Sequence, residues 1–265
     1  MSPPPETGSD DLVVDRRDAV ATVVLNRPHR HNALTLDMYS ALPALLAALD
    51  ADETVKVVVL RGAGQAAFCS GADIGEFEAV RDSAESARSY NERVAAAERA
   101  LEDLGKPTLA MIHGYCVGGG AGLAFAADLR FGDDRTRMAV TPAKLGIVYS
   151  LESTRRIVAL SGPSRAKWIL MSGQQMNGAE ALRLGLLDEL HEVDQLERRT
   201  YEFAELLTTR SQVSVRAAKT IVNRIAAGQV TEDTESERLR DSSFDTADYA
   251  EGVSAFLHKR QPRFS

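Results

Sequence analysis

Two stretches carry the fold: Phe68-Cys69-Ser70-Gly71-Ala72-Asp73-Ile74 and Gly114-Tyr115-Cys116-Val117-Gly118-Gly119-Gly120. The first follows a Val-rich run, Lys56 to Arg61, and the second follows the apolar run Pro107 to Ile112. Each is therefore the exit of a short buried strand, and each leads toward a helical pattern. At such an exit small residues let backbone N–H groups face outward, and a helix beginning just beyond adds a partial positive charge. For either loop alone the plain reading is a tight turn that needs glycine. Two such loops whose amides converge on one oxygen would form an oxyanion hole. The run Gly118 to Gly120 has neither the Lys-Ser/Thr of a P-loop nor the spacing of a dinucleotide fingerprint.

Working outward, Leu12 to Asp15 and Ala19 to Asn26 are β-prone runs that read as a hairpin turning at Arg16-Arg17-Asp18. Thr35 is placed to N-cap a helix to about Asp50, in which Leu36, Tyr39, Leu42, Leu45, Leu46 and Leu49 recur at helical spacing around Pro43. Gly62 to Asp73 reads as a loop, and Ala84 to Leu104 as a charged amphipathic helix. The second loop leads into a helix at Leu123 to Ala127, followed by short strands at Leu129 to Phe131 and Met138 to Val140. Strand, glycine loop and helix are thus used twice. From Ser153 onward the pattern is helical, broken at Gly162-Pro163, Gly173, Gly185 and Gly228. The expected class is α/β, with a flexible tail over 1–11, a core over 12–200 and a helical region over 201–265.

A chain of 265 residues with 44% hydrophobic residues can bury a sizeable core. Its 31 Lys and Arg against 38 Asp and Glu give a formal charge of −7, which provides no net positive field for nucleic acid. The two cysteines, Cys69 and Cys116, are too few for a disulfide framework and lack the spacing of a zinc site, so no metal is expected and a reducing, cytoplasmic setting fits. The N-terminus has no basic start or apolar core of a secretory signal, and no run reaches the roughly 18 apolar residues of a membrane span.

The two loops, in this order and with Ala72 and Gly119 47 positions apart, resemble those of the crotonase (enoyl-CoA hydratase/isomerase) superfamily. Leu25-Asn26-Arg27-Pro28 with Asn32-Ala33-Leu34 resembles that family's first CoA-contacting segment. Asp248-Tyr249-Ala250-Glu251-Gly252, with Ala255 to Phe264, is similar to its closing helix. The resemblance implies a crotonase-like spiral of ββα units with a C-terminal α-helical oligomerisation region, assembled as a homo-trimer or a dimer of trimers. It further implies that the amides of Ala72 and Gly119 hold a thioester oxygen. Arg27, Ala33, Ser70, Asp73, Ile74 and Gly75 would line the CoA path, and Phe256 and Lys259 would approach CoA, from a neighbouring subunit if not from their own. Coenzyme A would enter as part of the substrate, with no tightly bound cofactor.

The chain departs from a hydratase at the proton-transfer positions. Hydratases of this family use two glutamates, and their pattern falls here on Gly122 and Pro142, neither of which transfers a proton. Thr141-Pro142-Ala143-Lys144-Leu145-Gly146-Ile147-Val148-Tyr149-Ser150-Leu151 resembles methylmalonyl-CoA decarboxylases, although those carry a histidine where this chain has Ala72. Decarboxylation of a malonyl-type thioester with Tyr149 assisting is therefore the first expectation. An isomerase or hydratase using Glu152 as a single acid/base is the second. A noncatalytic acyl-CoA or RNA binder is the third, and the acidic charge speaks against RNA. His113, Cys69, Cys116 and Asp128 are read as structural.

Overall fold

The chain begins with a hairpin in which β1 (Leu12–Arg17) pairs antiparallel with β2 (Val20–Leu25), from Leu12 opposite Leu25 to Arg17 opposite Val20. Arg16 and Arg17, expected in the turn, are instead the last rungs of β1. The reversal is made by Asp18, whose φ of +50° falls in the left-handed region that a short polar side chain tolerates. The computed structural model describes residues 10–77 and 81–264, so most of the tail expected over 1–11 lies outside the described residues.

Helix α1 (Leu36–Ala51) starts where the sequence predicts, with the Thr35 hydroxyl accepting from the Met38 amide at 3.2 Å. Pro43 removes one amide from its ladder. The helix persists because Met38, Tyr39, Leu42, Leu45, Leu46 and Leu49 are all buried along one side.

Thereafter the chain winds as a spiral that lays one strand in each of two sheets and then a helix. β3 (Val57–Gly62), β5 (Thr108–Ile112) and β7 (Leu129–Asp133) enter a six-stranded sheet, while β4 (Ala67–Cys69), β6 (Tyr115–Val117) and β8 (Arg137–Ala139) enter a four-stranded one. Helix α2 (Ala84–Glu102) follows the first pair and α3 (Gly119–Ala126) the second. The large sheet runs β1-β2-β3-β5-β7-β10 and is parallel beyond the hairpin, with β10 (Glu189–His191) at its edge. The small sheet runs β4-β6-β8-β9, ending on the antiparallel β9 (Met176–Asn177).

The parallel strands are buried on both faces, as their continuous Val and Leu runs require. Val58 and Leu60 point into the main core, whereas Val57 and Val59 pack with Leu109, Met111 and Phe131 beneath α8 (Val193–Thr208). Helix α8 runs across residue 200 and buries Leu196, Tyr201 and Ala204 on the sheet, with the Tyr201 and Thr22 hydroxyls 2.8 Å apart.

Helices α4 (Pro142–Leu145), α5 (Leu151–Ser161), α6 (Pro163–Ser172) and α7 (Gly178–Arg183) precede β10, and α9 (Gln212–Ala226), α10 (Thr234–Ser242) and α11 (Ala247–Leu257) close the chain. The largely helical reading after Ser153 misses β9 and β10, because strands of two and three residues leave no periodicity to detect. Gly119 and Gly120 also prove to be helix rather than turn, for α3 begins at Gly119, four residues before the expected start. No helix among the described residues is long and apolar enough to cross a membrane.

Gly114, between β5 and β6, has φ +57°, and a Cβ there would stand 2.1 Å from the Ala66 carbonyl oxygen. Gly114→Ala is therefore expected to lower the unfolding free energy by about 3 kcal/mol from backbone strain and overlap, measured by urea denaturation.

Candidate active site

The first loop is pinned on both sides of Ala72. Leu34 N donates to Gly71 O at 2.8 Å, and Asp73 N donates to Leu34 O at 2.8 Å, so Leu34 and Ala72 form a parallel bridge. In such a bridge the central residue's own N–H faces away from the partner strand. Among the described residues the Ala72 amide has no turn, loop or cap partner. Asp73 caps the following turn by accepting from Gly75 N at 3.0 Å and pairs with Arg27 Nη1 at 2.9 Å. Burial alone would raise the Asp73 carboxyl, but the Arg27 bond, the Gly75 amide and the charges of Arg27 and Arg30 hold it below its ordinary value.

The second loop brings the N-terminus of α3 against the first. Gly118 has φ +53° and donates its N–H to Ala139 O at 2.9 Å, which turns the next peptide into the helix. Gly119 is the first helical residue, where an amide has no partner within the helix. The loops touch through glycine. A Cβ on Gly71 would lie 3.6 Å from Gly119 N, and one on Gly119 would lie 3.6 Å from Ala72 N. A Cβ on Gly119 would also stand 2.1 Å from the Tyr39 hydroxyl, and one on Gly120 2.6 Å from the Cys69 side chain.

Both loops face a cavity of about 230 Å³, lined also by Phe77, Tyr90, Val94, Leu145 and Val148 and by the phenols of Tyr39 and Tyr149. Burial raises the phenol pKa of Tyr39, Tyr90 and Tyr149, that of Tyr90 to about 12, so all three stay neutral at physiological pH. Arg81 lies over the Phe77 and Tyr90 rings, at 4.5 and 4.0 Å from their centroids.

Glu98, on α2, supplies the sole carboxyl among the described lining residues. Its Oε2 accepts from Arg156 Nη1 at 2.6 Å and Ser153 Oγ at 2.9 Å, while Oε1 accepts no hydrogen bond among the described residues. Burial drives the Glu98 carboxyl above its ordinary value; Arg156 and Ser153 pull it back, and the neighbouring Glu102 adds to the rise. Glu102 itself is held below its ordinary value, because its bonds to Arg156 and Arg155 outweigh the effect of burial.

An enoyl-CoA hydratase/isomerase family model matches residues 15–265 of the chain. The chain belongs to that family. Its similarity extends to the short-chain-enoyl-CoA hydratase of Clostridium acetobutylicum, 30% identical over 95% of this chain and 96% of that protein. It is likewise 30% identical to the peroxisomal Delta(3,5)-Delta(2,4)-dienoyl-CoA isomerase of Arabidopsis thaliana, over 93% of each chain. Among solved structures, the enoyl-CoA hydratase/carnithine racemase of Magnetospirillum magneticum superposes with a TM-score of 0.92 at 34% identity, covering 97% of this chain and 96% of that one.

Within this family member the cavity unites Ser70, Ala72, Ile74, Gly119 and Tyr149. Glu152 is not among its lining residues: it is half-exposed on α5 and paired with Arg99 at 2.8 Å. Arg27 and Ala33 serve the loop, for the Arg27 guanidinium ties Asp73 to the Ala33 carbonyl, which accepts at 2.8 Å. Asp73 and Gly75 are not among the lining residues. Phe256 is exposed at the end of α11 over a separate groove, and Lys259 follows it, so neither joins the cavity of its own chain.

The residues read as structural have structural partners. His113 bonds Asp133 at 2.8 Å, and Asp128 accepts from Thr108 and Lys219. Cys69 and Cys116 are register partners on β4 and β6 yet remain free thiols, burial pushing that of Cys69 up to about 12.

Sequence reading passes over Glu98. The available signal was an acidic residue set within the apolar stripe Tyr90, Val94, Ala97 and Leu101 of an otherwise charged helix. Gly119→Ala is expected to cost about 1–3 kcal/mol of stability by overlap with the Tyr39 hydroxyl. Tyr39→Phe in the same chain should recover part of that loss, and thermal unfolding of the single and double variants measures it.

Proposed function

We propose that the chain catalyses proton transfer on an enoyl-CoA thioester, within the hydratase/isomerase range of its family. The observation that carries this reading is the approach of two unspent amides, Ala72 N–H and Gly119 N–H, on the wall of one largely apolar cavity. A thioester carbonyl oxygen accepting from both gains negative charge as a proton leaves the α-carbon. The α3 N-terminus adds its partial positive charge to the same point. Apolar walls exclude water and so strengthen these hydrogen bonds. The relatives named as a hydratase and a dienoyl-CoA isomerase support the same substrate class.

Loss of CO₂ from a malonyl-type thioester is the second reading, favoured by the neutral Tyr149 phenol in the lining. Glu98 in the same cavity disfavours it, since an ionised Glu98 would repel a substrate carboxylate. An acyl-CoA binder without chemistry would leave the two-amide arrangement unused.

Assembly as a trimer or a dimer of trimers is supported by exposed apolar side chains on the helical end, Phe244, Phe256 and Leu257 among them. The free buried thiols of Cys69 and Cys116 suit a reducing, cytoplasmic compartment.

The experiment is a panel of saturated, 2-enoyl, 3-enoyl and malonyl CoA thioesters incubated in D₂O and read by mass spectrometry. Deuterium uptake, hydration or double-bond migration is expected with the enoyl thioesters; CO₂ release from the malonyl thioester alone would transfer the assignment to decarboxylation. Ala72→Pro removes one oxyanion donor and should cost about 10²–10³ in rate, whereas Glu152→Gln should leave turnover unchanged. Light scattering of the purified chain should give the mass of a trimer or a hexamer, and a monomer at micromolar concentration would count against the assembly.

A further inference from the structure

We infer that Glu98, the one carboxyl among the described residues that line the cavity, is an acid/base of this site, reaching from α2 into the space that Gly122 leaves open on α3, and that it moves one proton between two carbons of the substrate. The inference rests on the acyl-CoA reading above and names the group that performs its proton transfer.

Three observations converge on Glu98. A Cβ on Gly122 would lie 2.3 Å from Glu98 Oε1, so the carboxylate occupies the volume in which a side chain at 122 would begin. Gly122 stands three residues after Gly119 on the same helix, about 4.5 Å further along its axis, so Oε1 meets the helix within a turn of the oxyanion amide. The two carboxylate oxygens are also differently engaged, Oε2 being fixed by Arg156 and Ser153 while Oε1 accepts no hydrogen bond among the described residues, and Glu98 itself lines the cavity.

The chemistry balances with this one group. Glu98 Oε1 takes the α-proton of a 3-enoyl thioester, and the C–H electron pair becomes the C=C of a dienolate whose oxygen is held by Ala72 N–H and Gly119 N–H. The Glu98 carboxylic acid then returns the same proton to the γ-carbon. The electrons on oxygen re-form the thioester C=O, and the double bond moves into conjugation. No water, metal or second carboxyl is consumed. Hydration would additionally require a group to activate water, so a site with one carboxyl among its described lining residues favours double-bond migration.

Arg156 and Ser153 are positioning residues. The charged and titratable groups facing Glu98 are Arg156 on α5, Glu102 on α2, Tyr39 on α1 and Tyr149, with the Ser153 hydroxyl among them. The two tyrosines are neutral, so Arg156 and Glu102 set the local charge. As a base Glu98 must be ionised, so turnover rises as pH climbs through its elevated pKa. Ser153 stabilises the ionised form, and removing its hydroxyl moves that limb to higher pH.

The test measures conversion of 3-hexenoyl-CoA to 2-hexenoyl-CoA, with binding of unreactive hexanoyl-CoA followed by calorimetry. Glu98→Gln should lower kcat by about 10²–10⁴-fold while hexanoyl-CoA affinity is retained. Gly122→Ala, which displaces Oε1, should lower kcat in the same direction. The exchange Glu98→Gly with Gly122→Glu should regain part of the lost rate. In Ser153→Ala, a mild change at a half-buried hydroxyl, the acidic limb of kcat should shift upward with KM unchanged. A Glu98→Gln enzyme with parental kcat, or an unmoved acidic limb in Ser153→Ala, overturns the assignment. A parent that binds no hexanoyl-CoA overturns the underlying acyl-CoA reading instead.

Discussion

The close approach of a nearly bare helix to its neighbours is the constraint on which the rest of the structure depends. Along the first turn of α3, Gly119 meets the Tyr39 hydroxyl, Gly120 meets Cys69, and Gly122 meets the Glu98 carboxylate, each at a distance that excludes a Cβ. Glycine costs about 1 kcal/mol per position in a helix interior relative to alanine. The return is that helix α3 settles against β4, α1 and α2 at backbone contact. If α3 stood a side chain further out, its N-terminal amide would miss Ala72.

The same packing arranges the charge. Among its described lining residues the cavity holds one carboxyl, Glu98, whose charge is paired with Arg156, and Arg156 is in turn held by Glu102. A buried ion pair is weak evidence of stability, because desolvation offsets most of its attraction. Its value here is positional: two bonds to Oε2 fix the direction of Oε1. Around it, buried phenols supply polarity without charge.

The early chain acts as a strap. Asn32, fully buried at φ +56°, accepts from Arg27 N and donates to the carbonyls of Ala63 and Ala67. The adjoining Leu34 then bridges Ala72. Residues some 40 positions apart thereby fix one peptide plane. At the other end, Lys219 on α9 reaches Asp128 and the Lys106 carbonyl, and Asn223 reaches the Glu102 carbonyl at the end of α2, so the helical region braces the segments that carry the site.

The sequence by itself determined the two strand exits, the small residues in them, the Thr35 cap and the repeated strand, loop and helix, because these follow from local periodicity and from the φ and volume that only glycine permits. It also determined that Gly122 and Pro142 cannot move protons. It did not reveal β9 and β10, too short for a period, nor the helical start at Gly119, since glycine is a poor helix former and reads as a turn. Only the tertiary structure decided which carboxyl faces the cavity. Glu152 and Glu98 are both acidic residues on helices, and local sequence ranks the one nearer the familiar motif first. The winding of α2 against α3 and α5 turns Glu98 inward onto Arg156 and leaves Glu152 with Arg99 at the surface, because a side chain's direction is fixed by which helix face the core takes and not by its distance along the chain.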